Sequence, residues 1–327
     1  MSSYSNICFF GGGAWGQALA ITLASLGIKS TLIVSDKIRE VDINNRVSKR
    51  FPQAKLSPLI KASIDKNQII KGCDLIFITT ESKRVLDTIN QIAFLSNKNI
   101  HVVITSKGFA TSTGETFSEV VESDFPNMNL SILTGPTFAD EIANNQPAAA
   151  VIANKVIEQA NSISKLFHNS NLRLYPSNDP KGVSIAGAVK NIIAIGAGII
   201  EGLGLGDNAK AALITRGISE TSELIKKAGG NYNSAFGLAG IGDMSLTCSG
   251  PHSRNMAYGM KFVKNNNEPP KELVEGLNAI NATIALSEKL DLELPIMTSI
   301  KKILNKEANI DEIIKKLLSR PIKNEFI

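Results

Sequence analysis

One lysine lies in the middle of a long apolar stretch of this sequence. Between Lys181 and Glu201 the only charged residue is Lys190, and its neighbours are mostly Ala, Gly, Ile and Val. If the stretch is helical, Lys190 shares a face with small residues, so another molecule can approach its ammonium group. Burial would lower the pKa of this lysine towards a range in which it can give and take a proton.

Two other interpretations of the same stretch stay open at this level. The stem of Lys190 can pack against the apolar residues while the ammonium group reaches water. About 18 apolar residues would also suffice to cross a membrane. The charge in mid-run and the glycine-rich continuation disfavour that, so we expect no stable membrane insertion.

A second candidate site is the glycine-rich segment near the N-terminus. A strand-like segment (residues 6–10) precedes Gly11, Gly13 and Gly16, and a helical pattern follows. In this context Gly-x-Gly-x-x-Gly predicts a dinucleotide site: the first glycine permits the turn, the second admits a pyrophosphate, and the third lets helix and strand pack. The helix N-terminus supplies free N–H groups for the phosphates.

The end of the second predicted strand bears on which dinucleotide binds. Ser35 and Asp36 follow that strand, at the distance where an acidic residue meets the adenine ribose. Asp36 would repel a 2′-phosphate, whereas Lys37 and Arg39 would attract one. We therefore expect NAD or NADP and leave the preference open.

The elements that position these residues alternate between strand and helix in the first half of the chain. We predict an α/β fold with a Rossmann-type, doubly wound, mostly parallel sheet over residues 1–180 and a second, all-helical domain over residues 181–327. Strands are expected at residues 6–10, 30–34, 74–80, 100–105, 130–134, 148–153 and 172–175. In the second domain, helices are expected at residues 184–200, 209–228, 255–263, 271–290, 295–306 and 310–318, with residues 237–254 forming a loop.

Composition excludes several classes of protein. The formal charge is +5, from 35 Lys and Arg against 30 Asp and Glu, and the cations are dispersed, so we expect no nucleic-acid partner. The three cysteines show no paired spacing, which indicates neither a disulfide framework nor a zinc site. The three histidines are equally scattered. We therefore expect no metal and a reducing, cytoplasmic location.

Together these segments resemble the bacterial NAD(P)-dependent glycerol-3-phosphate dehydrogenases over nearly the whole chain. The matching blocks are the glycine-rich turn, Ser106-Lys107-Gly108, Gly135-Pro136-Thr137-Phe138, Gly187-Ala188-Val189-Lys190-Asn191, residues 208–217, Gly240-Ile241-Gly242-Asp243, Ser253-Arg254-Asn255 and Val274-Glu275-Gly276.

The resemblance implies a role for each matched position. Lys190 would be the proton acceptor and donor. The substrate, a triose phosphate, would contact Lys107, Gly135, Thr137, Lys190, Asp243, Ser253, Arg254 and Asn255. The cofactor, in its reduced form for synthesis, would contact Ala14, Trp15, Ser35, Lys107, Ala139, Arg254, Leu273 and Glu275, in addition to Gly11, Gly13, Gly16 and Asp36 from the dinucleotide motif.

The sequence departs from the family pattern at three positions. Ala14 stands where a serine is common, Glu81 where a proline is expected, and Ser35 where a basic or imidazole side chain is common. The implied reaction interconverts dihydroxyacetone phosphate and sn-glycerol 3-phosphate, supplying phospholipid synthesis, in an expected homodimer. The alternatives are a 3-hydroxy-acid dehydrogenase of the same two-domain plan and a non-catalytic dinucleotide sensor.

Overall fold

The computed structural model describes residues 4–96, 100–250, 252–264 and 273–319. Eight strands form one sheet in the order β3-β2-β1-β4-β5-β6-β7-β8. Neighbouring strands are parallel except for the antiparallel pair β6 and β7. The strands are β1 (Ile7–Phe10), β2 (Ser30–Ile33), β3 (Ile60–Ser63), β4 (Leu75–Ile78), β5 (His101–Ile104), β6 (Asn129–Thr134), β7 (Ala148–Ala153) and β8 (Leu172–Ser177).

Helices connect most of these strands and form most of the chain after the sheet. Those between strands are α1 (Ala14–Ser25), α2 (Lys37–Asn44), α3 (Lys66–Gly72), α4 (Val85–Leu95), α5 (Phe117–Asp124), α6 (Ala139–Ala143) and α7 (Ile157–Leu166). After the sheet come α8 (Pro180–Leu203), α9 (Asp207–Lys227), α10 (Asp243–Cys248), α11 (Arg254–Lys264), α12 (Glu275–Lys289), α13 (Pro295–Leu304) and α14 (Ile310–Leu318).

Strand β1 lies at the point where the strand order reverses: β2 and β3 are added on one side of it, and β4 and the later strands on the other. It pairs with β2 on one side and with β4 on the other. In such sheets a crevice for ligands opens beyond the carboxyl ends of the strands at this point. The glycine-rich segment directly follows β1, so the predicted Rossmann-type fold class is confirmed.

Helix α8 is the central helix of the region after the sheet. Asp179 caps its N-terminus by accepting a hydrogen bond from the Gly182 amide at 2.9 Å, Pro180 occupies the first turn, and Gly204 ends the helix in a left-handed conformation. Helices α9, α10, α11 and α12 all pack against it. By length and composition this helix could span a membrane, but 94% of its apolar window is buried inside the protein. It is packed as a core helix.

The main local prediction errors concern short elements. The third strand, β3, is missing from the predicted set, because Ile60–Ser63 is brief and contains Lys61. Residues 237–254 are not simply a loop: a π-helix (Leu238–Gly242) leads directly into α10. Small residues hid this helical turn, since glycine is usually read as a helix breaker. The predicted helix at residues 271–290 is observed from Glu275, and positions 271 and 272 lie outside the described residues.

The expectation that the cysteines are unpaired is wrong for two of them. Cys8 on β1 and Cys73 at the end of α3 form a disulfide, and Cys248 is a buried free thiol. The two partners are 65 residues apart in sequence. Spacing gave no signal for this pair because parallel neighbouring strands bring together residues that are distant along the chain.

Apolar side chains form two cores, one on each side of the sheet. One joins a face of the sheet, including Ile78, Val102 and Ile104, to the interior of the C-terminal helices. The other lies between the opposite face of the sheet and helices α1 and α7. Among the described residues, no strand follows β8. The division into two domains at residue 180 stays a prediction.

Candidate active site

The glycine-rich turn leaves room for a pyrophosphate. A Cβ atom on Gly13 would meet nothing within 4 Å, whereas one on Gly16 would lie 2.2 Å from the carbonyl oxygen of Gly11. Gly16 therefore permits the close contact of helix and turn. Gly13 caps α1 without a side-chain hydrogen bond, so the first amides of α1 point out of the helix without a side-chain acceptor. These features fit the phosphates of a dinucleotide.

Asp36 has a structural role at the start of α2. Its Oδ1 accepts a hydrogen bond from the Arg39 amide at 2.8 Å, and its Oδ2 accepts one from the Ser35 hydroxyl at 3.1 Å. The backbone hydrogen bond from Arg39 is the main reason that the pKa of Asp36 is lowered. The carboxylate is therefore ionised and caps the helix. Lys37 pairs with Glu40, so its charge is partly offset within α2.

The other predicted cofactor residues lie around the same end of the sheet or at the start of α12. Ala14 and Trp15 begin α1, and Ala139 begins α6, which packs against α1. Leu273 lies half-buried just before α12. Glu81 follows β4 and forms an ion pair with Lys83 at 3.1 Å on the exposed surface.

Three predicted site residues from distant segments lie together. Lys107 and Lys190, which we call the lysine pair, both bond to the carboxylate of Asp243. The Lys190 Nζ atom lies 2.6 Å from Oδ1 of Asp243, and the Lys107 Nζ atom lies 2.6 Å from Oδ2. Lys107 also donates to the carbonyl oxygen of Gly135 at 3.0 Å. Lys190 donates to the hydroxyl oxygen of Thr247 at 2.7 Å, and that hydroxyl donates to the Asp243 carbonyl oxygen. The carboxylate is thus a fixed bridge between two cations.

Burial sets the proton affinity of Lys190. Only 8% of its side chain and 1% of that of Asp243 are exposed, so the ammonium group does not reach water as a packed surface lysine would. Burial, followed by the nearby charge of Lys107, lowers the pKa of Lys190 from 10.5 to about 8, while Asp243 opposes the change. A lysine with this pKa can both release and accept a proton near neutral pH.

Gly135 and Thr137 belong to the loop after β6. Gly135 has a φ of +156°, and a Cβ atom there would lie 2.7 Å from the Ala150 Cα atom, so only glycine fits against β7. The Thr137 hydroxyl donates to the Gly135 carbonyl oxygen at 3.2 Å. Because that oxygen also accepts from Lys107, the loop is joined directly to the lysine pair.

Three predicted substrate-binding residues lie at the N-terminus of α11. Ser253 is buried and caps the helix, with its hydroxyl oxygen 3.4 Å from the Met256 amide nitrogen. Arg254 is exposed at the first helical position. Asn255 is buried, and its side-chain amide is bonded to Asn191 and to the Gly276 backbone. An exposed cation at a helix N-terminus suits an anion.

Glu275 joins the C-terminal helices to the loop after β4. Its Oε2 accepts a hydrogen bond from the Ser82 hydroxyl at 2.6 Å. Burial raises the pKa of Glu275, against opposing effects of Ser82 and of the Arg254 charge. The predictions gave Ser82 and Asn191 no role. Their positions beside Glu81 and Lys190 were the only sequence signals for them.

The fold and this buried site define a class: a dehydrogenase with a Rossmann-type sheet for a nicotinamide dinucleotide and a helical region that carries a buried lysine. Two family models match the chain, the NAD-dependent glycerol-3-phosphate dehydrogenase N-terminus over residues 6–160 and the C-terminus over residues 179–315. The chain belongs to the NAD-dependent glycerol-3-phosphate dehydrogenase family. It is an oxidoreductase that uses NAD or NADP.

Relatives agree with this assignment over their full length. The chain is 35% identical to glycerol-3-phosphate dehydrogenase [NAD(P)+] of Halothermothrix orenii, covering 98% of this chain and 96% of that one. It is 33% identical to the Bacillus subtilis enzyme of the same name, with 98% and 96% coverage. The crystal structure of glycerol-3-phosphate dehydrogenase from Coxiella burnetii superposes with a TM-score of 0.87 at 31% identity, covering 97% of this chain and 99% of that one.

Proposed function

We propose that Lys190 transfers the proton while the chain interconverts dihydroxyacetone phosphate and sn-glycerol 3-phosphate by NAD(P)-dependent hydride transfer. The observation that carries this assignment is the buried Asp243 carboxylate, held at 2.6 Å by both lysines of the pair. One carboxylate against two ammonium groups leaves an excess positive charge in a buried site. That excess suits an oxygen that becomes negative during reduction.

The protein's own part in reduction is to supply charge and a proton. A bound nicotinamide dinucleotide would supply the hydride for the substrate carbonyl carbon in this direction and accept it in the other. As the carbonyl oxygen becomes an alkoxide, the Lys190 ammonium stabilises it and donates a proton to it. In oxidation, the neutral Lys190 amine removes the hydroxyl proton.

Lys107 and Lys190 each have a hydrogen-bond donor left for the substrate. An ammonium group has three N–H bonds. In the described part of the chain, Lys190 uses two, to Asp243 and Thr247, and Lys107 uses two, to Asp243 and Gly135. Each lysine therefore retains one donor, and their shared carboxylate fixes the direction of both.

The substrate phosphate is assigned to the start of α11. Arg254 presents a planar guanidinium that can bind phosphate through two parallel hydrogen bonds. The free amides at the helix N-terminus add donors. Ser253 and Asn255, together with Gly135 and Thr137 on the facing loop, complete the proposed substrate contacts.

The proposed cofactor contacts run from the glycine-rich turn to α12. The open space over Gly13 and the uncapped start of α1 favour a pyrophosphate there. The remaining proposed contacts are Gly11, Ala14, Trp15, Gly16, Ser35, Asp36, Lys107, Ala139, Arg254, Leu273 and Glu275. We further propose net synthesis of glycerol phosphate for phospholipids, a cytoplasmic location and a homodimer, with no nucleic-acid partner and no membrane insertion.

The test is an assay of purified protein with NADH or NADPH and dihydroxyacetone phosphate, run in parallel with 3-keto acids. Consumption of reduced nucleotide with dihydroxyacetone phosphate and not with the acids supports the proposal. Turnover with the acids would instead indicate a 3-hydroxy-acid dehydrogenase. Nucleotide binding without turnover of any of them would indicate a sensor.

A further inference from the structure

A buried polar junction connects three of the helices that carry site residues. The Asn255 Nδ2 atom donates to Oδ1 of Asn191 at 2.9 Å, joining α11 to α8. The Gly276 amide donates to Oδ1 of Asn255 at 2.9 Å, joining α12 to α11. Asn191 and Asn255 are 4% and 8% exposed. We call Asn191, Asn255 and Gly276 the asparagine junction.

Each member of the asparagine junction directly follows a residue of the proposed site. Lys190 precedes Asn191, Arg254 precedes Asn255, and Glu275 precedes Gly276. A shift of one helix at the junction would therefore move its site residue relative to the other two. The three site residues are assigned to the proton, the phosphate and the cofactor respectively.

The Asn255 side chain also satisfies a helix end. Helix α12 has Val274 at its N-cap, with no side-chain cap, so its first amides lack an acceptor on their own helix. Oδ1 of Asn255 caps the Gly276 amide from the neighbouring helix. The Asn255 side chain therefore joins α11 both to α8 and to α12, and it uses one of its two N–H donors in doing so.

Backbone contacts show how closely these helices pack. A Cβ atom on Gly276 would lie 2.6 Å from the Asn191 carbonyl oxygen, so α12 starts directly against α8. Further along, a Cβ on Gly198 would lie 2.1 Å from the Met256 carbonyl oxygen, and one on Gly259 would lie 2.1 Å from that of Ile195. Helices α8 and α11 are thus in contact at the glycines and bonded at the asparagines, which leaves little freedom to slide.

We infer that Asn191 and the side chain of Asn255 are positioning residues, which fix Lys190, Arg254 and Glu275 relative to one another for hydride transfer. The inference rests on the proposed function and gives the Asn255 side chain a positioning role in addition to its proposed substrate contact. Loss of either amide removes the same bond between α8 and α11. The effects of the two substitutions on kcat should therefore not multiply in the double variant.

The experiment is a double-mutant cycle on turnover with Asn191→Ala, Asn255→Ala and the double variant. Displacement of reacting groups by about 1 Å can lower the rate 10²-fold, so we expect each single variant to lose about tenfold or more in kcat. NADH affinity should stay within about threefold of the parent, because the glycine-rich turn is intact. The double variant should be no more than about threefold worse than the poorer single variant.

Thr283→Ala is the matched control. Thr283 is fully buried on α12 and donates to the Ala279 carbonyl oxygen within the same helix, so its loss removes a buried hydrogen bond without separating helices. The Thr283→Ala variant should have a lower melting temperature than the parent but the same turnover per folded molecule. If the asparagine variants behave like this control, the inference is wrong.

Two further outcomes separate the inference from the proposed function. Multiplied losses in the double variant would show that Asn191 and Asn255 act independently, as expected if Asn255 only binds substrate, and would overturn the inference while leaving the reaction intact. An inactive parent protein would overturn the proposed function itself. Should the double variant not fold, Asn191→Ala compared with Thr283→Ala decides the matter by turnover per folded molecule.

Discussion

The Lys190 ammonium nitrogen lies 2.6 Å from one carboxylate oxygen of Asp243, and the other oxygen is bound by Lys107 at the same distance. Removing a charge from water is costly unless it is paired, and here one buried anion compensates part of the charge of two cations. Water solvates the positive charge of Lys190 poorly, because only 8% of its side chain is exposed. This is the charge that we propose stabilises a negative substrate oxygen.

Replacing Lys190 with alanine should abolish most turnover while the protein still folds. Asp243 remains paired with Lys107 in this variant, so no uncompensated carboxylate is created. General acid and base catalysis contributes about 10²–10⁴-fold, so we expect at least a 10²-fold loss in kcat with nucleotide affinity preserved. Lys190→Arg should also be poor, since a guanidinium does not give up its proton.

Lys181→Ala is the control for that variant. Lys181 is on the same helix, but it donates to the Ala228 carbonyl oxygen and pairs with Glu119, away from the site. Its turnover should match the parent. Steady-state rates, nucleotide affinity and melting temperature are measured on each preparation, and near-normal turnover of Lys190→Ala would remove Lys190 from the mechanism.

The pKa of Lys190 predicts opposite pH profiles for the two directions. Burial and Lys107 lower this pKa to about 8. Oxidation needs the neutral amine, so kcat/KM for glycerol 3-phosphate should rise about tenfold per pH unit below 8 and level off above it. Reduction needs the ammonium form, so kcat/KM for dihydroxyacetone phosphate should be level between pH 7 and about 8 and then fall. An inflection near 10.5 in either profile would contradict the assignment.

Asp243→Asn should move the oxidation inflection to lower pH. The carboxylate raises the pKa of Lys190, against burial and Lys107, which lower it; without the carboxylate only the lowering effects remain. The measurement is kcat/KM for glycerol 3-phosphate from pH 6.5 to 9.5. Asp207→Asn is the control, because Asp207 pairs with Lys210 and its side chain is 94% exposed. An unchanged inflection in Asp243→Asn would mean that this carboxylate does not set the charge of Lys190.

Arg254→Ala should raise KM for dihydroxyacetone phosphate. A hydrogen bond to a charged group contributes about 1.5–3 kcal/mol, or roughly 10- to 100-fold in binding. Arg254→Lys should recover only part, because an ammonium cannot form the planar double hydrogen bond. Arg173→Ala is the control, since Arg173 lies over the Tyr175 ring on β8. If KM is unchanged in both Arg254 variants, this side chain does not bind the phosphate.

Asp36→Asn should shift cofactor preference towards NADPH. Asparagine caps a helix as well as aspartate does, so the substitution removes the charge and keeps the bond to the Arg39 amide. Loss of repulsion across about 4 Å in water is worth about 1 kcal/mol, or roughly fivefold in the ratio of kcat/KM for NADPH to that for NADH. Asp65→Asn, a matched cap on α3, should leave the ratio alone. An equal ratio in the two variants would show that Asp36 does not face the ribose.

The sequence by itself determined the parts of this protein that depend on neighbours along the chain. The turn at Gly11, Gly13 and Gly16, the alternation of strands and helices, and the apolar stretch around Lys190 all follow from local periodicity and backbone constraints. Those patterns predicted the fold class and a dinucleotide site. The blocks that resemble the family added Lys107 and Asp243 as site residues, but not their contact.

Tertiary packing decided the contacts that join distant segments. Asp243 is 136 residues from Lys107 and 53 from Lys190, and Ser82 is 193 from Glu275. The disulfide between Cys8 and Cys73 depends in the same way on strands that pair in space. No periodicity encodes such pairs, because each is set by the register of the sheet and by how closely glycine-containing helices approach. The lowered pKa of Lys190 has the same origin, since burial and neighbouring charges exist only once the helices have packed around it.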